Sequence, residues 1–157
     1  NPSLVGSEMC IRDRIRNHDQ EPFYAIRKFC EKKGLIFHDG EFDQIIDESV
    51  PIISYFKKHF NRDRPVEVDT TINTLPSKTN KTKSYPSGHA AQSRLIARYV
   101  AGKFPEHERE LIKAGDEGGY GRVKAGFHYV SDYDAGNLLG EKMYIFMNKA
   151  DYKKENE

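Results

Sequence analysis

The sequence lacks the features that mark several large classes of protein. It has no tryptophan and only two cysteines in 157 residues. No apolar run approaches the length of about 18 residues that a membrane-spanning helix needs, and the best candidate, residues 95–104, is interrupted by Arg98 and Lys103. The formal net charge is +1, so no basic excess indicates a nucleic-acid partner. These absences predict a soluble globular protein that neither inserts into a membrane nor binds nucleic acid.

The first fourteen residues differ from the rest of the chain. They show no amphipathic period and no signal-peptide pattern, and Ser3–Arg14, reverse-translated, resembles a sequencing-library adapter read in frame. An ordinary disordered terminus is the alternative. We predict a non-native leader at residues 1–14 and one domain over residues 15–157, truncated at its N-terminus. Because the native N-terminus would then be missing, the compartment, periplasmic or cytoplasmic, stays open. Cys10 belongs to the leader, so Cys30 alone cannot form an internal disulfide.

Helical periods dominate the remaining sequence, and no alternating pattern of strands is longer than a few residues. The apolar spacings predict helices over residues 21–33, 41–61, 88–103, 106–115 and 132–150. Pro51 is expected to kink the second helix or to begin a new one. The sequence therefore predicts an all-α, single-domain helical bundle.

Two segments between these helices, and the start of the last helix, carry further expectations. Residues 67–85 are polar and predict a long loop, which in a small domain indicates function or disorder. Gly118, Gly119 and Gly121 predict a flexible turn. Ser131 is expected to cap the last helix, with Asp134 at its third position.

The first motif with chemical meaning is a pair of cations, Lys57 and Arg64. They are seven residues apart, close to two helical turns, so they point the same way if the helix persists. A lysine point charge and an arginine fork on one side would clamp a multiply charged anion. The alternative is a basic helix end that faces solvent and complements the helix dipole.

The second motif, Pro86-Ser87-Gly88-His89, follows the polar loop and opens a helix. Unpaired backbone N–H groups, the Ser87 hydroxyl and the close approach that Gly88 permits would form an anion cradle. His89 beside this cradle could give a proton to a group that leaves a bound phosphate. A plain serine N-cap next to an exposed histidine fits the local sequence equally well.

The third motif consists of Arg122, His128 and Asp132. Asp132 lies four residues beyond His128, and a carboxylate near one ring nitrogen fixes the tautomer and leaves the other nitrogen as a nucleophile. The alternative is that Asp132 only favours a helix start and His128 is a surface residue. No metal site is predicted, because no metal-ligand spacing connects the other histidines, His18, His38, His59 and His107.

Together, the three motifs resemble the type 2 phosphatidic acid phosphatase superfamily, which includes class A nonspecific acid phosphatases, lipid phosphatases and vanadium-dependent haloperoxidases. Ten positions match its pattern in order: Lys57, Arg64, Pro65, Pro86, Ser87, Gly88, His89, Arg122, His128 and Asp132. Chance agreement is negligible when each residue type occurs at about one position in twenty. The segments Ser84–His89 and His128–Gly136 are most similar to the soluble class A acid phosphatases. The resemblance implies the all-α fold of the acid phosphatases and vanadium-dependent haloperoxidases.

The resemblance also implies a role for each matched residue. His128 would attack phosphorus, Asp132 would orient it, and His89 would protonate the leaving group and then activate water. Phosphate binding would fall to Lys57, Arg64, Ser87, Gly88 and Arg122. The implied activity is hydrolysis of a small phosphate monoester through a phosphohistidine, with no metal or other cofactor and with vanadate as an inhibitor. The identity of the substrate and the oligomeric state stay open.

Two departures from the family pattern bear on this interpretation. Gly121 replaces the serine before Arg122, which is expected to loosen the backbone, and Ala90 replaces a threonine common in acid phosphatases. The alternative functions are a haloperoxidase with vanadate as cofactor, which the short chain disfavours, and a non-catalytic phosphate-binding remnant. A lipid phosphatase is disfavoured because its relatives are built from membrane-spanning helices that this sequence does not predict.

Overall fold

The computed structural model describes Asp19 and residues 21–155, with side chains through residue 148. Its helices are α1 (Tyr24–Lys33), α2 (Asp39–Phe60), α3 (Pro65–Val68), α4 (Gly88–Lys103), α5 (Glu108–Lys124) and α6 (Val130–Glu155), with a 3₁₀ turn at Pro105–His107. This part of the chain contains no strand, so the all-α prediction is confirmed. The predicted leader at residues 1–14 lies outside the described residues.

The first two helices follow the apolar periods of the sequence. α1 ends at Gly34, whose φ of 67° is left-handed, a conformation that glycine adopts without strain. Pro51 lies inside α2, which continues through it as one helix instead of starting again. A proline removes the hydrogen bond to the carbonyl four residues earlier. Here that carbonyl belongs to Asp47, which is exposed and can bond to water instead.

α4 lies at the centre of the bundle and packs against α2, α5 and α6. An apolar period of this kind predicts one buried stripe along a helix. In α4, burial extends over most of the helix: Ala90, Ala91, Ser93, Leu95, Ile96, Ala97, Val100 and Ala101. Neighbours on several sides explain the difference. The apolar core continues from α4 into α1 and α2 through Ile26, Cys30, Phe42 and Ile53.

Glycines in α5 and α6 lie where these helices approach α4. A Cβ on Gly119 would lie 3.0 Å from the Ala90 Cα, and one on Gly136 would lie 2.5 Å from the Ser87 carbonyl oxygen. The flexible turn predicted at residues 118–121 is wrong, because these residues are inside α5. Glycine clusters mark close helix contacts as well as turns, and here the contact decides. As a result, Arg122 projects from the last turn of a continuous helix.

The start of α6 also differs from the prediction. α6 begins at Val130, so Asp132, and not Asp134, is its third residue. The Tyr129 N–H donates to the Asp132 Oδ2 at 2.9 Å, which is the reach-back bond of a helix start. Ser131 is therefore inside the first turn and is not the cap. Because its carboxylate accepts this bond in the first turn of α6, Asp132 is fixed next to His128.

A long segment without helix connects α3 to α4 and covers residues 69–87. The loop prediction holds, except that α3 contains its first two residues, Glu67 and Val68. The segment is tied to the bundle, since the Ser84 N–H donates to the Arg62 carbonyl at 2.9 Å. This contact places the end of the loop beside the residues that follow α2.

Candidate active site

The three sequence motifs meet at the N-terminus of α4. A Cβ on Gly88 would lie 3.8 Å from the Lys57 Cε, so the second motif touches the first. The Ser87 N–H donates to the Asp132 carbonyl at 2.9 Å, so the second motif also touches the third. The structure therefore brings the predicted residues into one site.

Lys57 and Arg64 reach this site by a different route from the one the spacing suggested. α2 ends at Phe60, and Asn61 follows with a left-handed φ of 48°. The helix does not persist to Arg64, which lies instead in extended conformation directly before α3. Lys57 extends from the last turn of α2, and its Nζ donates to the Lys83 carbonyl at 2.5 Å. The two cations converge because the chain turns back after the helix.

Arg64 is held by the loop and by the third motif. Its Nε donates to the Thr82 carbonyl at 2.7 Å, and its NH1 donates to the Phe127 carbonyl at 3.1 Å. The same NH1 lies 3.2 Å from the His128 Nε2. These contacts aim a buried positive charge at the ring nitrogen that would attack a phosphate.

His128 and Asp132 form a buried pair. The His128 Nδ1 lies 3.2 Å from the Asp132 Oδ2, and the two residues are 4% and 0% exposed. An ionised carboxylate there accepts a hydrogen bond from the Nδ1–H, so the proton stays on the Nδ1 and the Nε2 keeps its lone pair. Burial would raise the pKa of Asp132, but hydrogen bonds from His128, Ser84 and the Tyr129 N–H lower it, so the carboxylate stays ionised.

Two of the residues that hold Asp132 were missed by sequence reasoning. The Ser84 hydroxyl donates to the Asp132 Oδ2 at 2.5 Å, and the Arg62 NH1 donates to the Asp132 Oδ1 at 2.9 Å. Ser84 stands two positions before the second motif, and Arg62 stands two positions before Arg64 of the first. That proximity was the available signal, but it carried no geometry. Neither residue could be placed on the carboxylate without the tertiary structure.

His89 lies on the other side of the site. It is half-buried, and its Nε2 is 3.1 Å from the Asp19 carbonyl oxygen. Burial and the nearby charge of Arg122 lower the pKa of His89 to about 3. A phosphate dianion would favour the protonated ring and so raise this pKa.

Asp19 is a further residue that the sequence did not indicate. Its carboxylate accepts hydrogen bonds from the Arg122 NH1 at 2.5 Å, the Ser77 hydroxyl at 2.5 Å, the Thr79 hydroxyl at 2.8 Å and the Lys78 N–H at 3.0 Å. These donors lower the pKa of Asp19 despite its burial. The Arg122 guanidinium and the loop thus hold an anion here, and in this structure that anion is a carboxylate of the chain itself.

The three cations of the site are all buried. Lys57, Arg64 and Arg122 are 8%, 4% and 1% exposed. Burial, together with the charge of Arg64, lowers the pKa of Lys57 to about 7. Burying several like charges is costly unless an anion offsets them. The arrangement therefore suits a multiply charged anion such as phosphate.

Ser87 and Gly88 occupy the helix start as predicted. The Ser87 hydroxyl accepts from the Ala90 N–H at 3.3 Å, which caps α4 and leaves the hydroxyl proton available for donation. The backbone at Gly88, in the first turn of α4, lies beside Lys57.

Gly121 does not interrupt α5, and a Cβ there would meet nothing within 4 Å. The helix is regular at Gly121, and the expected loosening of the backbone stays a prediction.

Among the described residues, no group of three or more His, Cys, Asp or Glu side chains is arranged to hold a metal ion. In the same part of the chain, every helix is too short or too polar to cross a bilayer.

Comparison with known proteins places this site in a family. The chain is 40% identical to a non-specific acid phosphatase of Salmonella typhi over 87 residues, which cover 54% of this chain and 35% of that protein. It is 30% identical to an acid phosphatase of Zymomonas mobilis over 105 residues, which cover 64% of this chain and 40% of that protein. The chain thus spans little more than a third of the length of these relatives.

A solved structure supports the fold. The crystal structure of a transmembrane PAP2 type phosphatidylglycerolphosphate phosphatase from Bacillus subtilis superposes with a TM-score of 0.56 at 18% identity, covering 98% of this chain and 79% of that one. Residues 47–155 match the family model described as the PAP2 superfamily, and they include every residue of the three motifs. The chain belongs to the PAP2 superfamily.

Proposed function

We propose that this protein hydrolyses small phosphate monoesters, as an acid phosphatase, through a phosphohistidine on His128. The observation that carries the proposal is the orientation of one ring: the Nδ1 lies against the Asp132 carboxylate at 3.2 Å, and the Nε2 lies 3.2 Å from the Arg64 guanidinium. That ring presents a lone pair among cations, where a phosphate would bind. The acid phosphatase names of the relatives support the same reaction.

In the first step, the His128 Nε2 attacks phosphorus while the bond from phosphorus to the ester oxygen breaks. Lys57, Arg64 and Arg122 offset the charge of the non-bridging oxygens, as phosphoryl transfer requires. His89, protonated under the influence of the bound dianion, gives its proton to the departing oxygen. The products of this step are an alcohol and a phosphohistidine.

In the second step, neutral His89 takes a proton from water, and the resulting hydroxide attacks phosphorus. The bond between phosphorus and the Nε2 breaks, inorganic phosphate forms, and His128 returns to its neutral state with the proton still on the Nδ1. Asp132 stabilises the positive ring in both steps. Neither of these two steps uses a metal ion or another cofactor.

The test is to trap the intermediate. The full chain is mixed with a ³²P-labelled aryl phosphate and quenched, and the protein is assayed for acid-labile, base-stable phosphate. We expect label on the wild type and none on His128→Ala, whereas His38→Ala, an exposed histidine outside the site, should be labelled like the wild type. Turnover without label on the wild type, or label that survives in His128→Ala, would overturn the proposed intermediate.

Metal independence is tested on the same reaction. Turnover should continue in EDTA, and vanadate should compete with the substrate because it resembles the five-coordinate transition state. Loss of activity in EDTA that a divalent ion restores would contradict the proposal.

A further inference from the structure

Arg62 connects residues from all three motif regions, although it belongs to none of the motifs. Its NH1 donates to the Ser131 hydroxyl at 2.8 Å and to the Asp132 Oδ1 at 2.9 Å. Its guanidinium carbon lies 4.5 Å from the centre of the Tyr85 ring and 5.8 Å from that of the Tyr129 ring. A single side chain therefore spans the end of α2, the loop before α4 and the start of α6.

The backbone fixes Arg62 in this position. The left-handed φ of Asn61 turns the chain directly after α2, and the Arg62 carbonyl accepts the Ser84 N–H at 2.9 Å. The rings of Tyr85 and Tyr129 then flank the guanidinium. Aromatic faces on both sides favour a planar cation such as arginine. Arg62 is 39% exposed at its side chain, whereas its partner Asp132 is fully buried. The ion pair thus places the fixed guanidinium of Arg62 between solvent and the buried carboxylate of Asp132.

The two oxygens of Asp132 have different partners. The Oδ2 accepts from the Ser84 hydroxyl and the Tyr129 N–H and faces the His128 Nδ1. Among the described side chains, Arg62 is the one that donates to the Oδ1. Partial rotation of the carboxylate about its Cβ–Cγ bond would take the Oδ2 out of line with the His128 Nδ1. The bond from Arg62 opposes that rotation.

We propose that Arg62 is a positioning residue for phosphoryl transfer: it fixes the Asp132 carboxylate so that the Oδ2 holds the Nδ1 proton of His128. The inference deepens the proposed function and rests on it. Arg62 acts through Asp132 and not on the phosphate. Removing the guanidinium leaves a buried carboxylate oxygen without its charged donor, and the His128 ring loses its single tautomer.

The kinetic test is a double-mutant cycle. The hydrogen bond from Arg62 to Asp132 joins two charged groups, and such bonds are stronger than those between neutral groups. Its loss in Arg62→Ala should lower kcat by about tenfold to a hundredfold, with KM changed by less than about threefold. In an Asp132→Asn background, the same change should lower kcat by less than about threefold further, because the group it acts through is gone. Equal fold-losses in the two backgrounds would overturn the proposal.

A second measurement needs no turnover. In ¹⁵N-labelled resting protein, the His128 resonances, assigned by their loss in His128→Ala, should report a proton on the Nδ1 alone. Arg62→Ala should give a mixture of tautomers. Arg98→Ala is the matched control, because Arg98 also pairs with carboxylates, Glu108 and Glu141, but lies away from the site. An unchanged tautomer in Arg62→Ala would overturn the proposal, even if activity fell.

These two measurements separate the inference from the proposed function. A wild type that hydrolyses no phosphate ester defeats the proposed function, while the tautomer of His128 still tests the role of Arg62. If Arg62→Ala does not fold, Arg62→Lys takes its place. Lysine keeps the positive charge but donates from a single nitrogen, so the tautomer mixture of His128 and the kcat of Arg62→Lys should lie between those of the wild type and Asp132→Asn. Arg62→Lys equal to wild type in both would then contradict the inference.

Discussion

His128 and His89 share one site but are held by different kinds of contact. His128 is 4% exposed, with a carboxylate on its Nδ1 side and a guanidinium on its Nε2 side. His89 is half-buried, and its Nε2 lies beside the backbone carbonyl of Asp19. A carboxylate fixes a tautomer and stabilises a positive ring. A carbonyl accepts a hydrogen bond but supplies no full charge.

The difference matches the two chemical tasks that we propose for these histidines. A nucleophile must present one lone pair in one direction, so the network around His128 leaves its ring no freedom. A residue that donates and then accepts a proton must change its charge twice in each cycle. His89 therefore benefits from weaker contacts and from a pKa that the bound dianion can raise.

Removing each histidine in turn should have the largest effect on activity. We expect His128→Ala to lose activity by more than about 10⁴-fold for every ester, because the nucleophile is gone. His89→Ala should lose about 10² to 10⁴-fold on alkyl phosphates, which need a proton donor, and much less on aryl phosphates with acidic phenols. Rates across a series of leaving groups give the measurement. A similar loss for alkyl and aryl esters in His89→Ala would remove its distinct role.

The pH dependence tests the charges around the two rings. Burial lowers the pKa of His128 to about 4, and the neutral ring attacks, so kcat/KM should fall below about pH 4. Burial lowers the pKa of Lys57 to about 7, and the charged form binds phosphate, so kcat/KM should fall above about pH 7.

Lys57→Arg sharpens this test because a guanidinium stays charged. Its alkaline limb should lie at least about one pH unit higher than that of the wild type, while the acidic limb stays in place. Ionisation of the substrate is common to both proteins and cancels in the comparison. An alkaline limb that does not move would show that Lys57 does not set it.

Asp19 offers a smaller test on the His89 side. Its carboxylate offsets the charge of Arg122, so Asp19→Asn should strengthen competitive inhibition by inorganic phosphate by about threefold to tenfold through the loss of a nearby negative charge. Asp69→Asn is the control, since it makes the same charge change at an exposed position. Weaker inhibition in Asp19→Asn would mean that the carboxylate holds Arg122 in place for phosphate and does not compete with it.

The last prediction concerns two of the four glycines of α5, Gly119 and Gly121. A Cβ on Gly119 would lie 3.0 Å from the Cα of Ala90, next to His89, so Gly119→Ala should lower the free energy of unfolding by about 1–3 kcal/mol through overpacking. Gly121 precedes Arg122, and a Cβ on it would meet nothing within 4 Å, so Gly121→Ala should raise the free energy of unfolding by about 0.5–1 kcal/mol. Urea denaturation of both variants gives the comparison. A loss of stability in Gly121→Ala would show that its glycine is needed.

Much of the fold was predictable because apolar periods and helix stops are local properties. The periods of α1, α2 and α4 follow from residues such as Ile26, Phe42 and Leu95, whose spacing fixes a buried face in any helix. The errors occurred where a residue has two uses. Gly119 could open a turn or admit a neighbouring helix, and only the position of α4 distinguishes the two.

The site shows the same division. The order of residue types from Lys57 to Asp132 determined the family and named the side chains that meet, because those types at those spacings are improbable by chance. How these side chains meet depends on the tertiary structure: α2 stops before Arg64, Asp132 lies in the first turn of α6, and Arg62, Ser84 and Asp19 complete the network. Those contacts join residues 48 to 103 positions apart in the chain. Such pairings depend on how the helices pack, and local sequence does not encode them.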